Sequence, residues 1–194
     1  MRSFLALEVP DPVTEYLRGV IERLAKMTHG VKWVKKEGIH ITLKFLGEIE
    51  EETAAKLHQA LLPIGSQFSR FMVSLKELDA FPSRRRARVV VVKLGKGEEE
   101  MKALFREVEE RLGGFDFKRE AREFTAHITI GRMRMPAPFP NGDAPAIEGM
   151  EFPLDALVLF KSTLTPAGAL YTPIWQIKLG GDKDEGRSEQ NKGT

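Results

Sequence analysis

Three observations predict an α+β fold built on antiparallel sheets. Short strand-like segments are mixed with helical ones without a regular strand–helix–strand alternation, which argues against a doubly wound parallel sheet. The strands that can be read best alternate apolar and polar residues, as half-solvated antiparallel strands do. The organisation is also doubled: His40-Ile41-Thr42-Leu43 and His127-Ile128-Thr129-Ile130 are matched strings, each on a strand in its own helix-and-strand half. That spacing suits one copy per lobe.

The elements follow in order. Residues 3–9 have strand character. Asp11-Pro12 then starts a helix, with Asp as N-cap and Pro in the first turn. Val13, Leu17, Val20, Ile21, Leu24 and Met27 follow at helical spacing as its buried face, and His29-Gly30 ends it. Residues 31–34 and 39–46 form a pair of strands, the second carrying the first His string. A helix over 51–62 is stopped by Pro63 and Gly65. Strands over 68–78 and 87–94 are separated by the loop Phe81-Pro82-Ser83-Arg84-Arg85-Arg86. A helix over 97–112 has Met101, Leu104, Phe105, Val108 and Leu112 as its apolar stripe, and a strand over 123–130 carries the second string. Residues 133–153 contain Pro136, Pro138, Pro140, Pro145 and Pro153 and are too interrupted for a regular element. Strands over 154–162 and 170–179 close the fold. Residues 180–194 hold no apolar side chain and are expected to be a disordered polar tail, which leaves 1–179 as one bilobal domain.

The bulk properties narrow the function classes. The 194 residues are 42% hydrophobic and 30% charged, a globular composition with a heavily charged surface. The net charge of +2 makes no general demand for nucleic acid, so an RNA site must come from local clustering. The absence of Cys excludes disulfides, thiol catalysis and Cys-ligated metal. Glu8 interrupts the short apolar run at the start, which therefore lacks a signal-peptide core. No stretch approaches the roughly 20 apolar residues needed to cross a bilayer. A cytoplasmic location without membrane attachment is expected.

Face parity sharpens the two strings. Strand side chains alternate with period two, so a His and a Thr two residues apart share a face. Ile39, Ile41, Leu43 and Phe45 fall on one face of the first strand, and His40, Thr42 and Lys44 on the other. In the second, Phe124, Ala126, Ile128 and Ile130 lie opposite Thr125, His127 and Thr129. Two imidazoles can divide acid and base roles, and two hydroxyls can hold an anion between them. A single such string is ordinary on a solvated face; two matched copies favour function. By the same parity Phe45 packs in the core, with stacking on a base at a cleft mouth as the competing reading. Arg132 shares the parity difficulty, but stands at the strand end where Gly131 permits a turn. Arg84, Arg85, Arg86 and Arg88, with Lys35 and Lys36 elsewhere, either track an RNA backbone or form a solvated surface. His29 and His58 read as structural.

The strings and their flanks carry a resemblance. His40-Ile-Thr-Leu-Lys-Phe-Leu-Gly47 and His127-Ile-Thr-Ile-Gly-Arg132 resemble the paired signatures of the 2H phosphoesterase superfamily. More narrowly, the chain is similar to the LigT-like RNA 2′,3′-cyclic phosphodiesterases, long called 2′-5′ RNA ligases, from residue 2 to about residue 179. Arg2-Ser-Phe-Leu-Ala-Leu-Glu-Val-Pro10, Val31-Lys-Trp-Val34, Ala80-Phe-Pro-Ser83 and Leu164-Thr-Pro-Ala-Gly-Ala-Leu-Tyr171 belong to the match.

The resemblance implies two pseudo-symmetric lobes with antiparallel sheets flanking a central cleft, helices outside. It implies hydrolysis of an RNA terminal 2′,3′-cyclic phosphate to a 2′-phosphate, with no metal or other cofactor. His40 is then the proton donor and His127 the proton acceptor. Thr42 and Thr129 contact the non-bridging oxygens and Arg132 adds charge, with Phe45 and Tyr171 as further cleft candidates. The implied partner is RNA ending in a cyclic phosphate, such as tRNA halves or other cleaved RNA, handled by a monomer. Run backwards, with an RNA 5′-hydroxyl in place of water, the same site is a 2′-5′ ligase. A two-His metal site and a non-catalytic RNA-binding module are the rival readings. Zinc usually takes three or four protein ligands, which neither string supplies.

Overall fold

Period-two alternation and the helix-start signals resolve into two antiparallel sheets with helices packed against them. The computed structural model describes residues 1–120, 123–140, 144–166 and 168–180. Along the chain lie β1 (Arg2–Glu8), α1 (Asp11–Met27), β2 (Val31–Trp33), β3 (His40–Glu48), α2 (Glu51–Leu61), α3 (Ile64–Gln67) and β4 (Phe71–Phe81). They are followed by β5 (Ala87–Leu94), α4 (Glu98–Arg111), β6 (His127–Ala137), β7 (Glu151–Leu154), β8 (Ala156–Thr165) and β9 (Gly168–Lys178). One sheet has the order β3-β1-β8-β9 and the other β2-β6-β5-β4-β7. The two His strings therefore stand in different sheets, and β3 and β6 contact one another. The sheets are not sequential halves: β2 crosses to the five-stranded sheet, while β8 and β9 return to complete the four-stranded one.

The buried faces follow the apolar spacing. Val13, Leu17, Val20, Ile21 and Leu24 of α1 are buried, as are Ala54, Leu57 and Leu61 of α2 and Met101, Leu104 and Val108 of α4. Trp175 of β9 donates its indole N–H to the Ala54 carbonyl, pinning α2 to the four-stranded sheet. Met27 departs from the expected stripe at 41% exposure, because α1 ends at that turn and Thr28 is already extended. Asp11 is not the N-cap. Pro10 holds that place, its carbonyl accepting from Val13 and Thr14 N–H, and the Asp11 carboxylate sits in the first turn, at the positive end of the helix. Pro63 and Gly65 do not stop the helical path outright; α2 ends at Leu61, and a single turn, α3, restarts with Gly65 inside it.

The proline-rich stretch is more regular than its composition suggests. β6 starts at His127, later than expected, and runs on through Pro136 to Ala137, while β7 contains Pro153. Proline lacks a backbone donor and is tolerated where no partner strand needs one. Pro136 lies beyond the end of β2, whose pairing with β6 stops at Val31↔Met133, and Pro153 is on the edge strand β7. The tail expected to be disordered lies outside the described residues from 181 onward. Its first residue, Gly180, donates its N–H to the Gly65 carbonyl.

Candidate active site

β3 pairs with β1 in the register Glu8↔His40, Ala6↔Thr42, Leu5↔Lys44 and Phe4↔Phe45, so Leu43 is an extra residue opposite nothing. Such a bulge breaks the alternation of faces. Leu43 and Lys44 consequently both turn inward, and Phe45 comes round to the face of His40 and Thr42. Parity had placed Phe45 in the core and Lys44 beside the imidazole; both placements are reversed. Phe45 is 66% exposed with its ring 6.0 Å from Phe4, and the Lys44 ammonium is buried 2.5 Å from the Glu109 carboxylate.

The second string repeats the device. β6 pairs with β5 as Lys93↔His127, Val91↔Thr129, Val90↔Gly131 and Val89↔Arg132, which leaves Ile130 as the extra residue. Ile130 and Gly131 are both buried, and Arg132 emerges on the face of His127 and Thr129. Arg132 is therefore within a continuous strand, not at a strand end, and a bulge aims it where a turn was expected. Gly131 has its own reason to be glycine. A Cβ there would lie 2.7 Å from Val31 Cγ1 and 2.8 Å from Trp33 Cε3, so β2 closes down on it.

The two imidazoles have different surroundings. His40 sits in an aromatic wall assembled from three strands. Phe4 stacks on it at 4.8 Å between ring centroids, Phe160 lies parallel at 6.0 Å, and Tyr171 meets it edge-on at 5.3 Å. Tyr171 thus joins the site, as its place in the late family-like segment suggested. Phe4 and Phe160 escaped the sequence reading, because an aromatic in a buried strand carries no sign of which face it serves. His127 holds Phe81 edge-on at 5.1 Å, and its Nδ1 is 2.7 Å from the Thr125 carbonyl oxygen. A carbonyl only accepts, so Nδ1 carries the proton and the neutral ring keeps its lone pair on Nε2. Lys93, paired across from His127, is held by Asp79 at 2.5 Å.

Electrostatics join the two sheets. Burial pushes the His40 pKa down to about 4, and the Arg132 charge acts in the same direction. Burial also lowers His127, opposed by its bond to Thr125 and assisted by Arg132. One guanidinium thus acts on both imidazoles, and the strings converge. Both shifts favour the neutral imidazoles.

Other candidates fall elsewhere. His58 lies against Trp175 on α2, and His29 is exposed beyond α1. Arg84 is committed within the protein: it donates to the carbonyls of Leu78 at 2.8 Å and Pro140 at 3.2 Å and lies over the Phe139 ring. Arg85, Arg86 and Arg88 are exposed. Among the described residues no three His, Asp or Glu side chains gather as a metal-ligand set, and no helix is long and apolar enough to cross a membrane.

Known proteins are similar to this chain in sequence and fold. The family described as LigT like phosphoesterase matches residues 7–91 and 94–171. An RNA 2′,3′-cyclic phosphodiesterase of Methanocaldococcus jannaschii is 34% identical over 183 residues, spanning 90% of this chain and 98% of the relative. One of the same name from Thermotoga maritima is 31% identical over 188 residues, spanning 93% and 97%. A solved structure from Thermus thermophilus superposes with a TM-score of 0.81 at 26% identity, over 94% of this chain and 100% of that one. Escherichia coli LigT complexed with 3′-AMP shares the fold, with a TM-score of 0.73 at 22% identity over 92% and 97%.

Proposed function

The chain belongs to the LigT-like phosphoesterases, and from that membership we propose that it is an RNA 2′,3′-cyclic phosphodiesterase acting through its own side chains without a metal ion. The observation that carries the reading is the meeting of β3 and β6, which brings both imidazoles, each with a Thr on its own strand face, under the influence of one guanidinium, Arg132. In-line opening of a cyclic phosphodiester needs a base on one side of phosphorus and an acid on the other. His127, with Nδ1–H tied to Thr125 and its lone pair on Nε2, takes the proton of the attacking water. The new P–O bond forms as the bond from phosphorus to O3′ breaks, and His40 delivers a proton to O3′, leaving a 2′-phosphate. Thr42 and Thr129 donate to the non-bridging oxygens and Arg132 strengthens its hold as charge builds there. The substrate's negative charge opposes the effect of Arg132 on His40, favouring the imidazolium that the donor role requires. Phe45 offers an exposed ring for the terminal base.

Incubation with an oligoribonucleotide ending in 2′,3′-cyclic phosphate, in excess EDTA, tests this. Turnover to a 2′-phosphate is expected. A 3′-phosphate would reverse the leaving-group assignment, rescue of inactive protein by added zinc would favour a metal site, and tight binding without turnover would favour an RNA-binding module.

A further inference from the structure

The two bulges that turn Phe45 and Arg132 onto the catalytic face are locked by different means. In β6 the bulge is closed sterically, by Val31 and Trp33 pressed on Gly131. In β3 the inward residue at the matching place is Lys44, a charge on the buried side of a strand. Its ammonium lies 2.5 Å from Glu109 Oε1 of α4 and donates to the Lys118 carbonyl at 2.8 Å. The other Glu109 oxygen accepts from the Glu120 N–H at 3.4 Å. The two side chains are only 6% and 10% exposed. Removing two charges from water is costly, and an apolar pair of similar volume commonly stabilises a fold as well. Stability alone therefore gives this pair little reason to be ionic.

Direction does. An ion pair with these bonds fixes where Lys44 points, whereas an apolar side chain packs in many ways. α4 connects β5 to β6, so the pair joins the bulge of one catalytic strand to the element leading into the other. The substrate cannot reach it from the cleft, because Lys44 faces away from His40 and Thr42. We infer that Lys44 and Glu109 are positioning residues that hold the β3 bulge, and through it set Thr42 and Phe45 against His40. The functional consequence rests on the phosphodiesterase reading above.

The test replaces both partners, Lys44→Met with Glu109→Leu, so that no lone charge is buried. Melting temperature, kcat and KM on a nucleoside 2′,3′-cyclic phosphate and the ring-to-ring nuclear Overhauser contacts of Phe4 with Phe45 are measured against the unaltered protein. The double variant is expected to melt within a few degrees of the original. It should lose at least about tenfold in kcat, a size typical of remote misplacement of catalytic groups. KM should rise, and the Phe4–Phe45 contacts should weaken. Lys44→Arg, which preserves the ion pair, should recover part of each loss. Unchanged kinetics and contacts would overturn the inference, as would a fall in kcat at constant KM with the Phe4–Phe45 contacts intact, the signature of a smaller folded fraction. If the unaltered protein has no turnover, the phosphodiesterase reading fails, and the Phe4–Phe45 contacts alone decide whether the pair holds the bulge.

Discussion

On the proposed mechanism His40 and His127 act from opposite sides of one phosphorus, so each should be indispensable and neither effect should multiply with the other. His40→Ala and His127→Ala should each lower turnover of a cyclic-phosphate RNA at least about a hundredfold, the double variant little further. Steady-state rates of the folded variants check this. Burial is the larger cause of the lowered histidine pKa values, and Arg132 adds to it. A positive charge nearby disfavours a second one on an imidazolium, which is why it lowers both rings. Arg132→Gln should therefore raise both histidine titrations and move the kcat/KM profile to higher pH while reducing kcat. Ring-proton NMR titrations that stay put in the variant would contradict this account. The two His–Thr pairs were legible in the sequence because the same two residue types recur at the same spacing. The aromatic wall was not: Phe4, Phe160 and Tyr171 come from three strands and meet His40 only after β1, β8 and β9 assemble.

Strands β3 and β6 were legible as strands, but their bulges were not. Strict alternation predicts that the fifth residue after each His faces the core, and in both strands it takes the exposed face of the His instead because one residue has no partner. Gly131 makes the second bulge testable. Gly131→Ala places a methyl group against the Val31 side chain and the Trp33 ring. Overpacking of this kind costs about 1–3 kcal/mol, so denaturant unfolding should show that loss together with lower kcat as Arg132 shifts. The arginine-rich segment between β4 and β5 divides by role. Arg84→Ala should destabilise the fold by about 1–2 kcal/mol, since the carbonyls of Leu78 and Pro140 lose a charged donor. Replacing Arg85, Arg86 and Arg88 together should leave stability and turnover of a cyclic mononucleotide unchanged. It should weaken binding of longer RNA and flatten its salt dependence. Binding isotherms at several salt concentrations separate these outcomes.

Assembly of the two sheets also writes the candidate site into the stability of the protein. Burial, with the Arg132 charge, pushes the His40 pKa from 6.5 down to about 4. The unfolded chain thus binds its proton first as pH falls. Stability is complete above pH 6.5, declines through the interval down to about 4, and levels off below it as far as this group is concerned. The expected loss is about 3 kcal/mol. Denaturant unfolding at pH 7 and pH 4 should show a smaller difference for His40→Phe than for the unaltered protein; equal differences would mean that His40 is not titrating in this range.

What sequence by itself determined is local: helical faces such as Val13 to Leu24, strand alternation in β3 and β6 up to their bulges, and the pairing of each imidazole with a hydroxyl two residues on. These are properties of 3.6- and two-residue periods, and need no distant partner. Tertiary structure alone decided which strands share a sheet, with β2 crossing over and β8 and β9 returning. It decided that Pro136 and Pro153 lie in strands, where missing or edge-strand partners spare them a hydrogen bond. It also decided that Phe45 and Arg132 share a face with His40 and His127 and that Lys44 does not. A bulge is a mismatch in count between two strands, and no single segment of chain contains that count.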